Sequence, residues 1–202
     1  VKPALLSPSA PPAIAAQAAQ RRAALAAAAA QLYPGPATLT LELGCGHGHF
    51  LTAYAAAHPG APCLGVDLSS HRIARAQRKQ QRLGLANLAF LKAEAEEILA
   101  ALPEPVRLGG VLALFPDPWP KVRHHGRRLL QPRLLDALAA RARPGAWLAV
   151  RTDHEDFFTW AAAQIAAHPA WRLAPEMAWP FEHPTVFQER QSKFQSLLAV
   201  RR

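Results

Sequence analysis

A chain of 202 residues, half of them hydrophobic and 18% charged, has material for one substantial core, which excludes global disorder and makes a second catalytic domain unexpected. Lys and Arg number 23 against 14 Asp and Glu, a net charge of +9 with a pI near 10.5, which favours polyanionic partners, nucleic acid first among them; plain solubility is the competing reading. Two cysteines without CxxC spacing support neither a disulfide scaffold nor a zinc ribbon and fit a reducing, cytoplasmic setting, and no run approaches the ~18 apolar residues of a membrane span.

In chain order, Val1 to Pro12 reads as a loose tail, too broken by prolines for a secretory signal. The Ala/Gln/Arg stretch that follows has strong helix propensity to Leu32, where Tyr33-Pro-Gly-Pro36 stops it. Leu39 to Leu43 is a β-type run ending in Gly44-Cys-Gly-His-Gly48, and Phe50 to Ala57 is helical until His58-Pro-Gly60. The pattern repeats with strands at Cys63 to Val66, Leu88 to Leu91 and Val111 to Phe115, and helices at Ser70 to Leu83 and Ala95 to Leu102. The proline loop Pro116 to Pro120 and a basic segment to Arg128 come next, then a helix near Arg133 to Arg143, the turn Pro144-Gly145 and a strand at Trp147 to Arg151. A helix reaches Ala167, and Trp171 to Leu173 and Phe194 to Val200 are the last strand candidates. Strands alternating with helices predict an α/β, Rossmann-like fold, a mostly parallel central sheet with helices on both faces.

Ligands of such sheets sit beyond the carboxyl ends of the strands, so the residues there carry the chemistry. After the first strand stands Glu42-Leu-Gly-Cys-Gly-His-Gly48, after the second Asp67, after the third Glu94 and after the fourth Asp117. Gly44, Gly46 and Gly48 permit a tight turn and close backbone approach to a ligand. Their GxGxG spacing differs from the dinucleotide GxGxxG, whose last position falls here on His49. Glu42 would repel a pyrophosphate but suits the cationic end of S-adenosyl-L-methionine, and Asp67 can accept hydrogen bonds from ribose hydroxyls. These residues predict S-adenosyl-L-methionine as cofactor; Glu94, beside Glu96 and Glu97, equally suits a first helical turn.

The three prolines of Phe115-Pro-Asp-Pro-Trp-Pro-Lys121 pre-set the backbone that presents Asp117. With Glu42-Leu-Gly-Cys-Gly46, the run from Phe115 through Lys121, Arg123, His124 and His125 to Arg127-Arg128, and Thr152-Asp153, the chain resembles the bacterial tRNA (guanine-N7)-methyltransferases from about Leu39 to Arg190. That resemblance implies methyl transfer from S-adenosyl-L-methionine to N7 of a guanosine in the tRNA variable loop. It implies cofactor contacts at Glu42, Gly44, Gly46, Asp67, Glu94 and Asp117, an active-site carboxylate at Asp117, and substrate contacts at Lys121, Asp153, Thr185 and Gln188. The chain departs from the family pattern at Gln188, where a Glu is usual and where Glu189 follows. The domain division expected is a tail and Ala-rich helix over residues 1–36 and a methyltransferase domain over 37–202.

Guanine N7 carries an in-plane lone pair and no proton, so its methylation needs alignment rather than a base, and no catalytic triad is expected. A carboxylate near the base would stabilise the positive charge that develops on the purine. Arg123, Arg127 and Arg128 beside the proline loop are candidates for RNA backbone contacts, and Arg72, Arg75, Lys79 and Arg82 share one helix face that could follow phosphates or simply be solvated. The histidines at 47, 49, 124 and 125 lack an accompanying metal motif, so no metal is expected. The partner expected is tRNA, with no membrane and with monomer and homodimer both open. Competing readings are a methyltransferase for another RNA or a small molecule, and a non-catalytic RNA-binding relative.

Overall fold

The computed structural model describes residues 12–183 and 193–202. Its strands are β1 (Ala37–Leu43), β2 (Cys63–Asp67), β3 (Leu88–Lys92), β4 (Val106–Leu114), β5 (Ala142–Thr152), β6 (Trp171–Leu173) and β7 (Gln195–Arg201). The helices are α1 (Pro12–Leu32), α2 (His49–Ala57), α3 (Ser70–Arg82), α4 (Ala95–Ala101), α5 (Pro132–Arg141) and α6 (Glu155–Ala167), with a 3-10 turn over Val122–Arg127. All seven strands join one sheet in the order β3-β2-β1-β4-β5-β7-β6. The first five are parallel, and β7 runs antiparallel to both its neighbours.

Side chains alternate across a strand, and here each face finds its own cover. Leu39, Leu41 and Leu43 of β1, with Leu64, Val66, Val111, Ala113, Leu148 and Val150, pack against the apolar faces of α4, α5 and α6. The opposite face, through Cys63, Leu88, Phe90, Leu112 and Ala149, meets Phe50, Leu51 and Tyr54 of α2 and Ile73 and Ala76 of α3. The Ala-rich helix α1 docks too: Leu25 and Ala29 are buried, and Arg21 pairs with Glu97 of α4. Arg141 closes the end of α4, donating from its three guanidinium nitrogens to the carbonyls of Leu99, Leu102 and Pro103.

Three elements differ from the sequence expectation. β4 starts at Val106 rather than Val111, because Arg107, Gly109 and Gly110 interrupt the apolar run. Gly110 serves packing: a Cβ there would stand 2.1 Å from the Trp147 ring. The turn at Pro144-Gly145 lies within β5, whose pairing with β4 jumps from Leu108↔Ala142 to Gly110↔Trp147, Gly145 taking φ 77° in the resulting bulge. The basic segment, to which the sequence pattern assigns no element, makes the 3-10 turn. The expected N-terminal tail lies outside the described residues save its end. No described helix is long and apolar enough to cross a membrane.

Because the strand order reverses between β1 and β4, the connections leaving these strands diverge to opposite faces and open a crevice at the carboxyl edge. Every candidate residue at a strand end faces this edge of the fold.

Candidate active site

β1 runs into the glycine turn, where Gly44, Gly46 and Gly48 take φ of 72°, 55° and 68°. Gly48 has a packing reason as well, since a Cβ would lie 2.5 Å from the Phe90 ring and 2.9 Å from the Ala76 Cβ. A Cβ on Gly44 or Gly46 would meet no atom within 4 Å, so their backbone borders open space. The turn is tied to β2: the N–H groups of Gly44 and Cys45 donate to Val66 O, each at 2.9 Å, and Gly46 N–H donates to Asp67 Oδ2 at 3.1 Å.

Asp67 is buried, and its other oxygen accepts from Ser69 N–H at 2.8 Å, with the Arg72 guanidinium 3.6 Å away. Glu42 is only 3% exposed and its Oε2 has no hydrogen-bond partner. Burial pushes its carboxyl up to about 8, the backbone of Leu51 pulls the other way, and Asp67 adds to the rise. Glu94 stands at the N-terminal cap of α4 with no side-chain cap bond; partial burial, then Glu97, raise its carboxyl. Cys45 is buried and its thiol pushed up by that burial, which fits a packing residue rather than a nucleophile.

β4 delivers the proline loop. Phe115 and Trp119 both sit at positive φ, 51° and 43°, a conformation that costs of order 1–3 kcal/mol for a residue with a Cβ and persists only where surroundings enforce it. Phe115 N–H donates to Arg151 O at 2.8 Å, and Trp119 lies under the Arg127 guanidinium at 5.0 Å with His124 against its edge. Asp117, between them, is exposed, and no described residue forms a hydrogen bond or ion pair with it. Asp153 is likewise exposed, one residue past β5, where His154 N–H donates to Thr152 Oγ1. Lys121 and Arg123 are exposed beside the loop.

Arg128 is a correction. Expected as an RNA backbone contact, it is 1% exposed, and its guanidinium donates to Pro118 O and pairs with Asp156 of α6. A guanidinium so enclosed has no surface to offer a phosphate. Thr185 and Gln188, the remaining substrate candidates, lie outside the described residues, as does Arg190.

Sequence reasoning missed Arg151. Only 3% exposed, it donates from one terminal nitrogen to both oxygens of Glu182 at 2.8 and 3.0 Å and from Nε to Ser196 Oγ at 3.0 Å, with Trp179 stacked 3.9 Å from it. Two residues on, Phe181 packs edge-on to Phe50 and Tyr54 of α2. The only sequence signal was a lone arginine closing the apolar run of β5. Among the described residues no group of three or more His, Cys, Asp or Glu is placed to hold a metal.

The reversed strand order, the glycine turn and a carboxylate at each of the first two strand ends define a Rossmann-like methyltransferase fold. Solved structures of low identity share it: the aminoglycoside resistance methyltransferase NpmB1 superposes with a TM-score of 0.59 at 18% identity, over 82% of this chain and 88% of that one. A family described as "Putative methyltransferase" matches residues 36–199. A tRNA (guanine-N(7)-)-methyltransferase of Nocardia farcinica is 41% identical over 133 residues, 66% of this chain and 49% of the relative. One of Nitrosococcus oceani is 34% identical over 163 residues, 80% of this chain and 69% of the relative. The chain belongs to the tRNA (guanine-N7)-methyltransferase family. It spans about half to two thirds of the length of the first relatives it matches.

Proposed function

We propose that this chain methylates N7 of a guanosine in tRNA, in the variable loop, using S-adenosyl-L-methionine. The observation that carries the reading is the pairing of an orphaned, buried carboxylate, Glu42 Oε2, with an open glycine turn on one side of the crevice and a strained loop holding Asp117 free on the other. The cofactor would supply a sulfonium methyl as electrophile. Glu42 fits a cationic group arriving from the crevice, since ionisation then gains the partner it lacks. Asp67 has lone pairs beyond those used by Gly46 and Ser69 to accept from ribose hydroxyls. Gly44 and Gly46 leave room for close approach, and Glu94 stands at the rim.

The nucleophile needs no deprotonation, so the chain's work on the base is alignment and charge. Asp117 and Asp153 extend from adjacent strands, β4 and β5, and either carboxylate beside the purine favours the cation that forms. Lys121, Arg123 and Arg127 sit where the RNA backbone would arrive, and the α3 arginines extend the positive surface away from the crevice.

Incubation with unmodified tRNA transcripts and methyl-labelled cofactor, followed by nuclease digestion, tests the reading: label in 7-methylguanosine of the variable loop is the expected result. Label in another nucleoside, or none from folded, cofactor-binding protein, would refute it. Asp117→Asn is expected to lower kcat by about 100-fold, in the range seen for lost electrostatic stabilisation, with tRNA affinity within about threefold.

A further inference from the structure

We infer that Arg128 is a positioning residue that fixes the spacing of the Asp117 and Asp153 carboxylates by locking the proline loop of β4 to the helix that follows β5. The inference rests on the reading of Asp117 as an active-site group. Arg128 is among the largest fully enclosed side chains of the molecule, an unusual place for a guanidinium in a protein with 23 Lys and Arg. Three contacts hold it, while Nη1 has no hydrogen-bond partner among the described residues. Nε donates at 2.9 Å to the carbonyl of Pro118, the residue between Asp117 and the strained Trp119. Nη2 pairs with Asp156, in the first turn of α6 and three residues after Asp153. The guanidinium carbon lies over the rings of Phe157 and Trp160 of the same helix, at 5.9 and 5.2 Å to the ring centroids.

The planar fork of arginine makes these contacts in fixed mutual geometry, which a lysine ammonium cannot reproduce. Pro118 has no N–H, so its carbonyl is the one backbone group by which that residue can be held. The rest of the loop is anchored at its ends, by Phe115 N–H on Arg151 O and by Trp119 beneath Arg127, which leaves the Pro118 carbonyl as the grip nearest Asp117. Asp156 bonds Arg128 foremost, with the charges of His125 and His154 nearby, and its carboxyl is held low by that contact.

Arg128→Lys keeps the charge and the pairing with Asp156 but breaks the fork. It is expected to lower kcat for methyl transfer at least tenfold. In the Asp117→Asn background the same change is expected to lower kcat less than threefold, because the residue acts through Asp117. A merely structural arginine would give losses that multiply, and that result overturns the proposal. A second readout needs no activity. In protein carrying 5-fluorotryptophan, the Trp119 resonance, assigned by its absence in Trp119→Phe, is expected to shift or broaden in Arg128→Lys, while Trp147, which packs on the face of the sheet opposite α6, is unchanged. An unmoved Trp119 resonance overturns the loop-locking role. If the wild-type protein fails to methylate tRNA, the functional reading fails and the fluorine spectrum still decides whether Arg128 holds the loop.

Discussion

Glu42 sets how this site responds to pH. Its carboxyl, raised to about 8 by burial, takes up a proton on folding, so the folded state binds more protons than the unfolded one between about 4.5 and 8. A raised carboxylate contributes a stability that falls as pH rises through that window. The free protein is therefore expected to lose melting temperature from pH 5 to pH 8.5, and Glu42→Gln to flatten that slope, as thermal scans across buffers would show. A cationic ligand reverses the preference: affinity for S-adenosyl-L-methionine is expected to rise about tenfold between pH 6 and 8 with release of a proton, measured by calorimetry in buffers of different ionisation enthalpy, and to lose this dependence in Glu42→Gln. Gly48 is decided by sterics instead. Ala would have to hold φ 68° and push the Phe90 ring aside, so Gly48→Ala is expected to cost about 2–4 kcal/mol, read as a shifted denaturant midpoint.

Among the elements, α3 carries the most unbalanced charge. Its 13 residues hold Arg72, Arg75, Arg78, Lys79 and Arg82 and no acid. Arg72 leans on Asp67, and Lys79 donates to His47 O at 3.0 Å, fastening the helix to the glycine turn. His47 feels the crowding: partial burial first, then Arg75 and Arg72, lower its affinity for a proton. Arg75, Arg78 and Arg82 are exposed and have no acidic partner among the described residues. Replacing these three with Ala is expected to weaken tRNA binding and reduce the slope of log Kd against log salt by about 2, with cofactor affinity unchanged; an unchanged slope would leave α3 an ordinary solvated face.

At the scale of the whole molecule, Arg151 joins parts far apart in sequence. The 179–183 segment crosses from the β6 edge to α2, where Phe181 meets Phe50 and Tyr54, and Glu182 pins it to the sheet. Glu182 is 69% exposed, which by itself argues for little energy, but its partner is buried and already has one terminal nitrogen unsatisfied. Glu182→Ala is thus expected to cost about 1–3 kcal/mol, more than a surface pair, and to speed proteolytic cleavage near residue 183 before global unfolding, as a cleavage time course would show.

Much of this was legible in the chain itself. The apolar runs of β1, β2 and β3, the glycines at 44, 46 and 48, and the acids at each strand end follow from local rules of period, turn geometry and charge, and those rules hold wherever the chain folds. The start of β4 was not legible, since its glycines look like breakers until the Trp147 ring is seen against Gly110. Nor was the difference between Arg127 and Arg128, adjacent and chemically alike. One caps a tryptophan in solvent and the other is enclosed between a proline carbonyl and α6. Sequence fixes which groups can carry charge and where the backbone can turn. Which of two neighbouring arginines is desolvated depends on surfaces brought together from strands and helices distant in the chain, and only the tertiary fold supplies those.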